Sequence, residues 1–289
     1  MEDGIIIKGI GGFYEVLIEG QLTVTCRLRG RLRLEGERVL VGDRVRITRS
    51  GQEGVVEEIL PRTTHLQRPP IANVNQVMVV MAAANPDPDL ILLDRILVHA
   101  ELAGLEAVVV INKVDLAAGP ASSLQSLYNK AGYQTVAASA KAKVGLDCIR
   151  DKLAGKLTTF AGPSGVGKSS LINALEPGFS LQIGDVSAKL GRGRHTTRSV
   201  SLLPLSSGGL IADTPGFSRL EMVNTEPERL QDLFPEFTAY QGLCQFRGCL
   251  HRHEPKCAVK QAVAGNSIAH SRYENYLLFL SEIEAKQPY

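Results

Sequence analysis

The sequence predicts a multidomain α/β protein, with a small β-barrel first, a parallel sheet flanked by helices second and a helical, metal-binding segment last. Three observations carry that expectation. Residues 1–68 are short β-type segments broken by glycines and polar turns, residues 69–220 alternate apolar strands with helical patterns, and residues 221–289 gather Cys244, Cys249 and Cys257 beside histidines. With 289 residues, 44% hydrophobic and 21% charged, the composition is that of an ordinary globular chain of two or three domains, not of a fibrous or disordered one. The longest apolar run, Val77 to Ala84, is too short to cross a bilayer, and Met1-Glu2-Asp3-Gly4 lacks the basic start of a signal peptide. A cytoplasmic protein without a membrane role is expected.

In the barrel segment, "GIIIKGI", "FYEVLI", "LTVTCRLRGRLRL" and "DRVRIT" read as strands. Arg27, Arg29, Arg31 and Arg33 occupy every second position, so a continuous strand would set them on one face, with Leu28, Leu32 and Leu34 turned inward. Four arginines with no acid among them suit a phosphate backbone, which makes this stripe a candidate RNA-binding face. The net charge of +2 decides nothing about partners, because position matters more than the total.

The strand "NQVMVVMAAA" opens the α/β part, and the helix that follows starts behind Asp89 and ends near Gly104. "LEAVVVIN" is the next strand. A helix over 122–131, the strand "YQTVAA", a helix over 145–154 and the strand "KLTTFAG" continue the rhythm. In open α/β sheets ligands bind beyond the carboxyl ends of strands, where three motifs fall.

Gly162-Pro163-Ser164-Gly165-Val166-Gly167-Lys168-Ser169, followed by Ser170, fits G-x-x-x-x-G-K-[ST] between a strand and a helix. Its glycines let backbone N–H groups surround phosphates, Lys168 reaches the β and γ oxygens, and the Ser169 hydroxyl suits Mg²⁺. Asn112-Lys113-Val114-Asp115 ends the second strand. A carboxylate at Asp115 accepts from N1–H and the 2-amino group of guanine, whereas adenine offers an acceptor at N1 and no 2-amino group. The stem of Lys113 can cover the base, and Ser139-Ala140-Lys141 can close over its far edge. Asp213-Thr214-Pro215-Gly216 offers a carboxylate toward Mg²⁺ from Asp213 and an N–H toward the γ-phosphate from Gly216. Between them, "GRGRHTTRSV" supplies Thr196 or Thr197 as a further Mg²⁺ ligand, and the sequence does not choose.

The base reader thus precedes the phosphate loop. Joining the ends of the usual nucleotide-binding order and opening it between Asp-Thr-Pro-Gly and Asn-Lys-Val-Asp gives this order with every spatial contact kept. Cys244, Cys249, a histidine at 251 or 253, and Cys257 form a set suited to tetrahedral Zn²⁺, closed by four protein ligands and therefore structural.

The whole arrangement resembles the ribosome small-subunit-dependent GTPase A family of circularly permuted bacterial GTPases, through "GPSGVGKSS", "GRGRHTTR", "DTPGF" and "CQFRGCLHRHEPKCAV". The resemblance implies an OB-fold barrel over residues 1–68, a circularly permuted P-loop GTPase domain over 69–220 and a zinc-binding domain over 221–289, with His251 as the fourth ligand. It further implies hydrolysis of GTP to GDP stimulated by the small ribosomal subunit, contact with its rRNA, and a role in late maturation of that subunit. A monomer is expected. Phe217 stands where many GTPases have the glutamine that orients water, so slow intrinsic turnover is expected, with His195 the candidate substitute. The competing readings are a P-loop kinase, which "NKVD" and "SAK" oppose, and an RNA-binding protein with a chemically idle nucleotide site, which intact Lys168, Ser169 and Asp213 oppose.

Overall fold

The computed structural model describes residues 1–19, 22–34, 38–51, 53–67, 69–179, 200–213, 223 and 225–286. The chain divides into two compact units: Met1–Met78, Leu146–Ala161 and Lys168–Gly216 form the first, and Val79–Gly145, Gly162–Gly167 and Phe217–Tyr289 the second.

In the first unit, β1 (Glu2–Ile10), β2 (Phe13–Ile18), β3 (Thr23–Leu28), β4 (Arg44–Ser50) and β5 (Glu53–Ile59) close a barrel in the order β1-β2-β3-β5-β4. The β3–β5 pair is parallel and the others antiparallel, an OB-like arrangement. Period-two alternation fills the barrel with Val16, Ile18, Val24, Cys26, Val45, Ile47 and Val56.

The arginine stripe does not survive. Strand β3 stops at Leu28, and Gly30–Leu34 is a short helix, α1, so Arg31 and Arg33 leave the strand. Arg29, exposed, makes an ion pair with Glu57 of β5. The reason is visible in Leu28 and Leu32, which both pack on the barrel core. A spacing of four satisfies a strand and a helical turn equally, and here the turn closes the barrel end.

The hairpin β6 (His65–Gln67) and β7 (Pro70–Ala72) leads into the α/β part. In the second unit β10 (Gln134–Ala137), β9 (Glu106–Asn112) and β8 (Gln76–Ala82, of that unit from Val79 on) lie side by side in that order, and in the first unit β11 (Leu157–Ala161), β13 (Leu210–Ala212) and β12 (Leu202–Pro204) do. Every residue of β8 is buried, which is why its sequence after Gln76 is a continuous apolar run. Helix α2 (Leu90–Leu102) begins where Asp89 accepts from the Leu92 N–H at 2.9 Å. Helix α3 spans Ala118–Lys130, starting earlier than the sequence pattern predicts because Pro120 is tolerated in a first turn. Helices α4 (Leu146–Leu153) and α5 (Lys168–Leu175) flank β11 in sequence.

Within the first unit the barrel strand β1 also reaches the end of β12. Lys8 forms an antiparallel bridge with Ser201, whose carbonyl accepts the Asp213 N–H at 2.8 Å.

The C-terminal part of the second unit has two 3-10 helices, Pro227–Leu233 and Pro235–Tyr240, then α6 (Ala258–Ala264) and α7 (His270–Lys286). Phe234, Phe237, Tyr276 and Phe279 centre its core, with Phe234 edge-on to Tyr276 at 5.3 Å. Fully buried Arg272 of α7 holds Glu236 through two hydrogen bonds of 2.7 and 3.0 Å and Asp94 of α2 at 2.8 Å. Asp94 also accepts from Tyr128 and Asn275, so its buried charge is satisfied on several sides.

Candidate functional site

Strand β9 ends in Asn112, which is 1% exposed, and its side chain addresses two loops. Nδ2 donates to the Val166 carbonyl at 2.8 Å, and Oδ1 accepts from the Ala140 N–H at 3.3 Å. Lys113 extends over the same region, donating from Nζ to the carbonyl of Gly165 at 2.7 Å and to that of Asn85. Both bonds hold its ammonium beside the glycine-rich loop. Asp115, exposed, accepts from the Ser139 hydroxyl at 2.5 Å, and Ser139 Oγ in turn accepts from the Ala142 N–H at 3.0 Å. The carboxylate is oriented by Ser139 yet keeps acceptor capacity for a base edge. Sequence residues 112–115, 139–141 and 162–167 are thus tied together in one unit.

Two glycines of the loop have no substitute. Gly162 has φ +133°, and a Cβ there would lie 2.1 Å from the Val80 carbonyl. Gly167 has φ +97°, and a Cβ would lie 2.4 Å from Asn112 Nδ2. Chain continuity then carries Lys168 and Ser169 into the first turn of α5, both buried. Burial pushes the Lys168 ammonium down to about 8. Asp213 follows the end of β13, its N–H fixed on Ser201 and its carboxylate 3.5 Å from the Ser201 hydroxyl. His195, Thr196, Thr197, Gly216 and Phe217 lie outside the described residues.

The ligating atoms of Cys244, Cys249, His251 and Cys257 lie within 4.8 Å of one another. A tetrahedral centre with metal–sulfur bonds of about 2.3 Å sets its sulfurs about 3.8 Å apart. Cys244 and Cys257 Sγ are 3.8 Å apart, and His251 Nδ1 lies 3.6 and 3.3 Å from them, so the set fits a metal ion. His253 is exposed and outside the cluster, which resolves the histidine choice. The Ala258 N–H donates to Cys244 Sγ and the Lys260 N–H to Cys257 Sγ. Gln231 Oε1, 3.0 Å from His251 Nε2, accepts its N–H and so leaves Nδ1 free to ligate. No sequence signal marks Gln231, because it comes from a 3-10 helix 20 residues upstream.

Residues 59–223 match the profile of the RsgA GTPase family, and residues 3–56 that of the RsgA N-terminal domain. The chain belongs to the RsgA GTPase family. A curated RsgA relative from Moorella thermoacetica is 49% identical over 286 residues, covering 99% of this chain and 98% of its own. One from Geobacillus thermodenitrificans is 47% identical, covering 100% and 99%. Both are described as small ribosomal subunit biogenesis GTPase RsgA. The crystal structure of YjeQ from Thermotoga maritima matches with a TM-score of 0.87 at 38% identity, over 99% of each chain. YloQ, described as a circularly permuted GTPase, matches with 0.85 at 40%, over 100% of this chain and 97% of its own. As an RsgA GTPase the chain is a GTP hydrolase with a circularly permuted motif order, and its Cys/His cluster is consistent with a structural metal.

Proposed function

We propose that the chain hydrolyses GTP to GDP and phosphate under stimulation by the small ribosomal subunit, and acts through rRNA contact in late maturation of that subunit. The observation that carries this reading is the Asn112–Val166 hydrogen bond, which ties a guanine-selective strand end to the phosphate loop. The relatives' description as small ribosomal subunit biogenesis GTPases supports the partner. Work on ribosomal subunits supports a cytoplasmic location, and a monomer is proposed with it; among the described residues no helix is long and apolar enough to cross a membrane.

Residues 69–220 hold the nucleotide, with Asp115 reading the guanine edge, Lys113 covering the ring, and Ser139, Ala140 and Lys141 closing the far side. The backbone of residues 162–167 surrounds the phosphates. Lys168 places its charge on the β and γ oxygens, where it regains the stabilisation that burial removes. The buried Ser169 hydroxyl, a threonine at 196 or 197, and Asp213 would hold Mg²⁺, which when bound neutralises charge on the transferring phosphoryl group. His195 orients the attacking water, because Phe217 has no group to do so. Residues 221–289 bind one structural Zn²⁺ through Cys244, Cys249, His251 and Cys257. Residues 1–68 contact rRNA, with Arg27 and Arg31 exposed for it.

The test is release of phosphate from GTP and from ATP, each with and without small ribosomal subunits. GTP-selective turnover that rises with the subunit is expected. Turnover of ATP at an equal rate would favour a different P-loop enzyme, and turnover indifferent to the subunit would remove the ribosomal role.

A further inference from the structure

The barrel carries an exposed row that the arginine pattern does not anticipate. Ile10 of β1 pairs with Phe13 of β2, Phe13 with Arg27 of β3, and Arg27 with Val55 of β5, so four neighbouring strand positions align across the outer surface. Ile10 is 59% exposed, Phe13 45% and Val55 38%. The Arg27 guanidinium lies over the Phe13 ring, 4.6 Å from its centroid. The turn beside Phe13 is Gly11-Gly12, which carries no side chain, and a Cβ at either position would meet nothing within 4 Å. Of the chain's eight phenylalanines, only Phe13 and Phe246 among the described residues are left so open.

We infer that the Ile10–Phe13–Arg27–Val55 row is a stacking platform for an unpaired nucleobase of RNA, with Phe13 giving the π-face and Arg27 the charge for the adjoining phosphate. This rests on the reading of the barrel as RNA-binding. Aromatic rings paired with arginine on OB-type barrels suit single-stranded nucleic acid, since every base has a π-face and every nucleotide a phosphate. The row contains no acid, and of the acids around it Glu15 is neutralised by Lys8 at 3.2 Å and Glu57 by Arg29. Glu53, exposed two pairs further along β5, opposite Thr25, limits the platform on that side. A purely apolar protein-docking ridge would not need a guanidinium laid across its largest ring.

The chain has no tryptophan, so Phe13→Trp makes a single fluorescent reporter. Titrating that full-length variant with a single-stranded oligoadenylate should quench its emission, whereas an RNA duplex of the same length, in which bases are already stacked, should not. In binding assays Phe13→Leu should weaken oligoadenylate roughly tenfold with its salt dependence unchanged. Arg27→Gln should weaken it and also lower the salt slope by about 0.7, the value for one lost phosphate contact on a single strand. Phe13→Tyr should restore wild-type affinity, and equal thermal melting of the variants confirms an intact barrel. If Phe13→Leu binds oligoadenylate like the wild type while Arg27→Gln is weakened, the platform is wrong and the RNA reading stands. If the wild type binds no single-stranded RNA, both fall. If Phe13→Leu loses affinity for whole small subunits but not for the oligonucleotide, the row faces a protein and the inference is overturned.

Discussion

Asn112 donates from Nδ2 to the backbone carbonyl of Val166 across 2.8 Å, joining the end of strand β9 to the glycine-rich loop over residues 162–167. Because both groups are buried, losing one partner strands the other. Asn112→Ala is therefore expected to weaken GDP binding by about 10- to 100-fold, matching the ~1–3 kcal/mol of an unsatisfied buried group. Gly167→Ala should do at least as much harm, since its Cβ would strike the same amide. Fluorescent-GDP titration measures both. Unaltered affinity in Asn112→Ala would show that the contact does not shape the site.

Lys168 gives a pH signature. Burial lowers its ammonium to about 8 in the nucleotide-free protein, and a bound phosphate favours the charged form and raises it again. Binding must then take up protons above about pH 8, and affinity must fall as the pH rises through that value. Calorimetry of GDP binding in two buffers of different ionisation enthalpy should show proton uptake at about pH 8.5 and almost none at about pH 7. Lys168→Arg, which does not titrate in this range, should show no uptake at either.

The metal cluster depends on Gln231 as well as on its four ligands. With its acceptor on His251 Nε2 removed in Gln231→Leu, the ring loses its tautomer and orientation, and metal affinity should fall about 10- to 100-fold. Gln231→Glu keeps an acceptor and should retain the metal. Chelator-driven zinc release, followed with a colorimetric indicator, reads both variants. Equal release rates for Gln231→Leu and wild type would reduce Gln231 to a packing residue.

Arg272 tests what holds the C-terminal helices to α2. Arg272→Met leaves Asp94 and Glu236 buried without their cation, and should cost about 3–5 kcal/mol in denaturant unfolding. Adding Asp94→Asn and Glu236→Gln to it should recover much of the loss. No recovery would mean that the arginine acts by packing alone.

Much of this site was legible because its chemistry is local in sequence: a glycine pattern, an Asn-Lys-Val-Asp strand end and closely spaced cysteines each carry their meaning within ten or so residues. The barrel surface was not, and Arg27 to Arg33 show why. Alternating Leu and Arg fit a strand, but Leu28 and Leu32 also fit one helical turn, and only the closing of the barrel end selects the turn. Arg29 is neutralised by Glu57, 28 residues away, and Phe13 meets Arg27 only through strand pairing. Gln231 and the Arg272–Asp94 pair are likewise long-range, and nothing nearby in sequence announces them.

The central claim is that a strand end preceding the phosphate loop reads guanine, and Asp115 is the atom-level test of it. An amide at that position offers a donor to a 2-keto group and lacks the second acceptor that guanine requires. Steady-state turnover of GTP and of xanthosine triphosphate, each measured for wild type and Asp115→Asn in the presence of small ribosomal subunits, decides the matter. The account predicts a reversal, with wild type preferring GTP and the variant preferring xanthosine triphosphate, while an Asp115→Asn enzyme that still prefers GTP would contradict it.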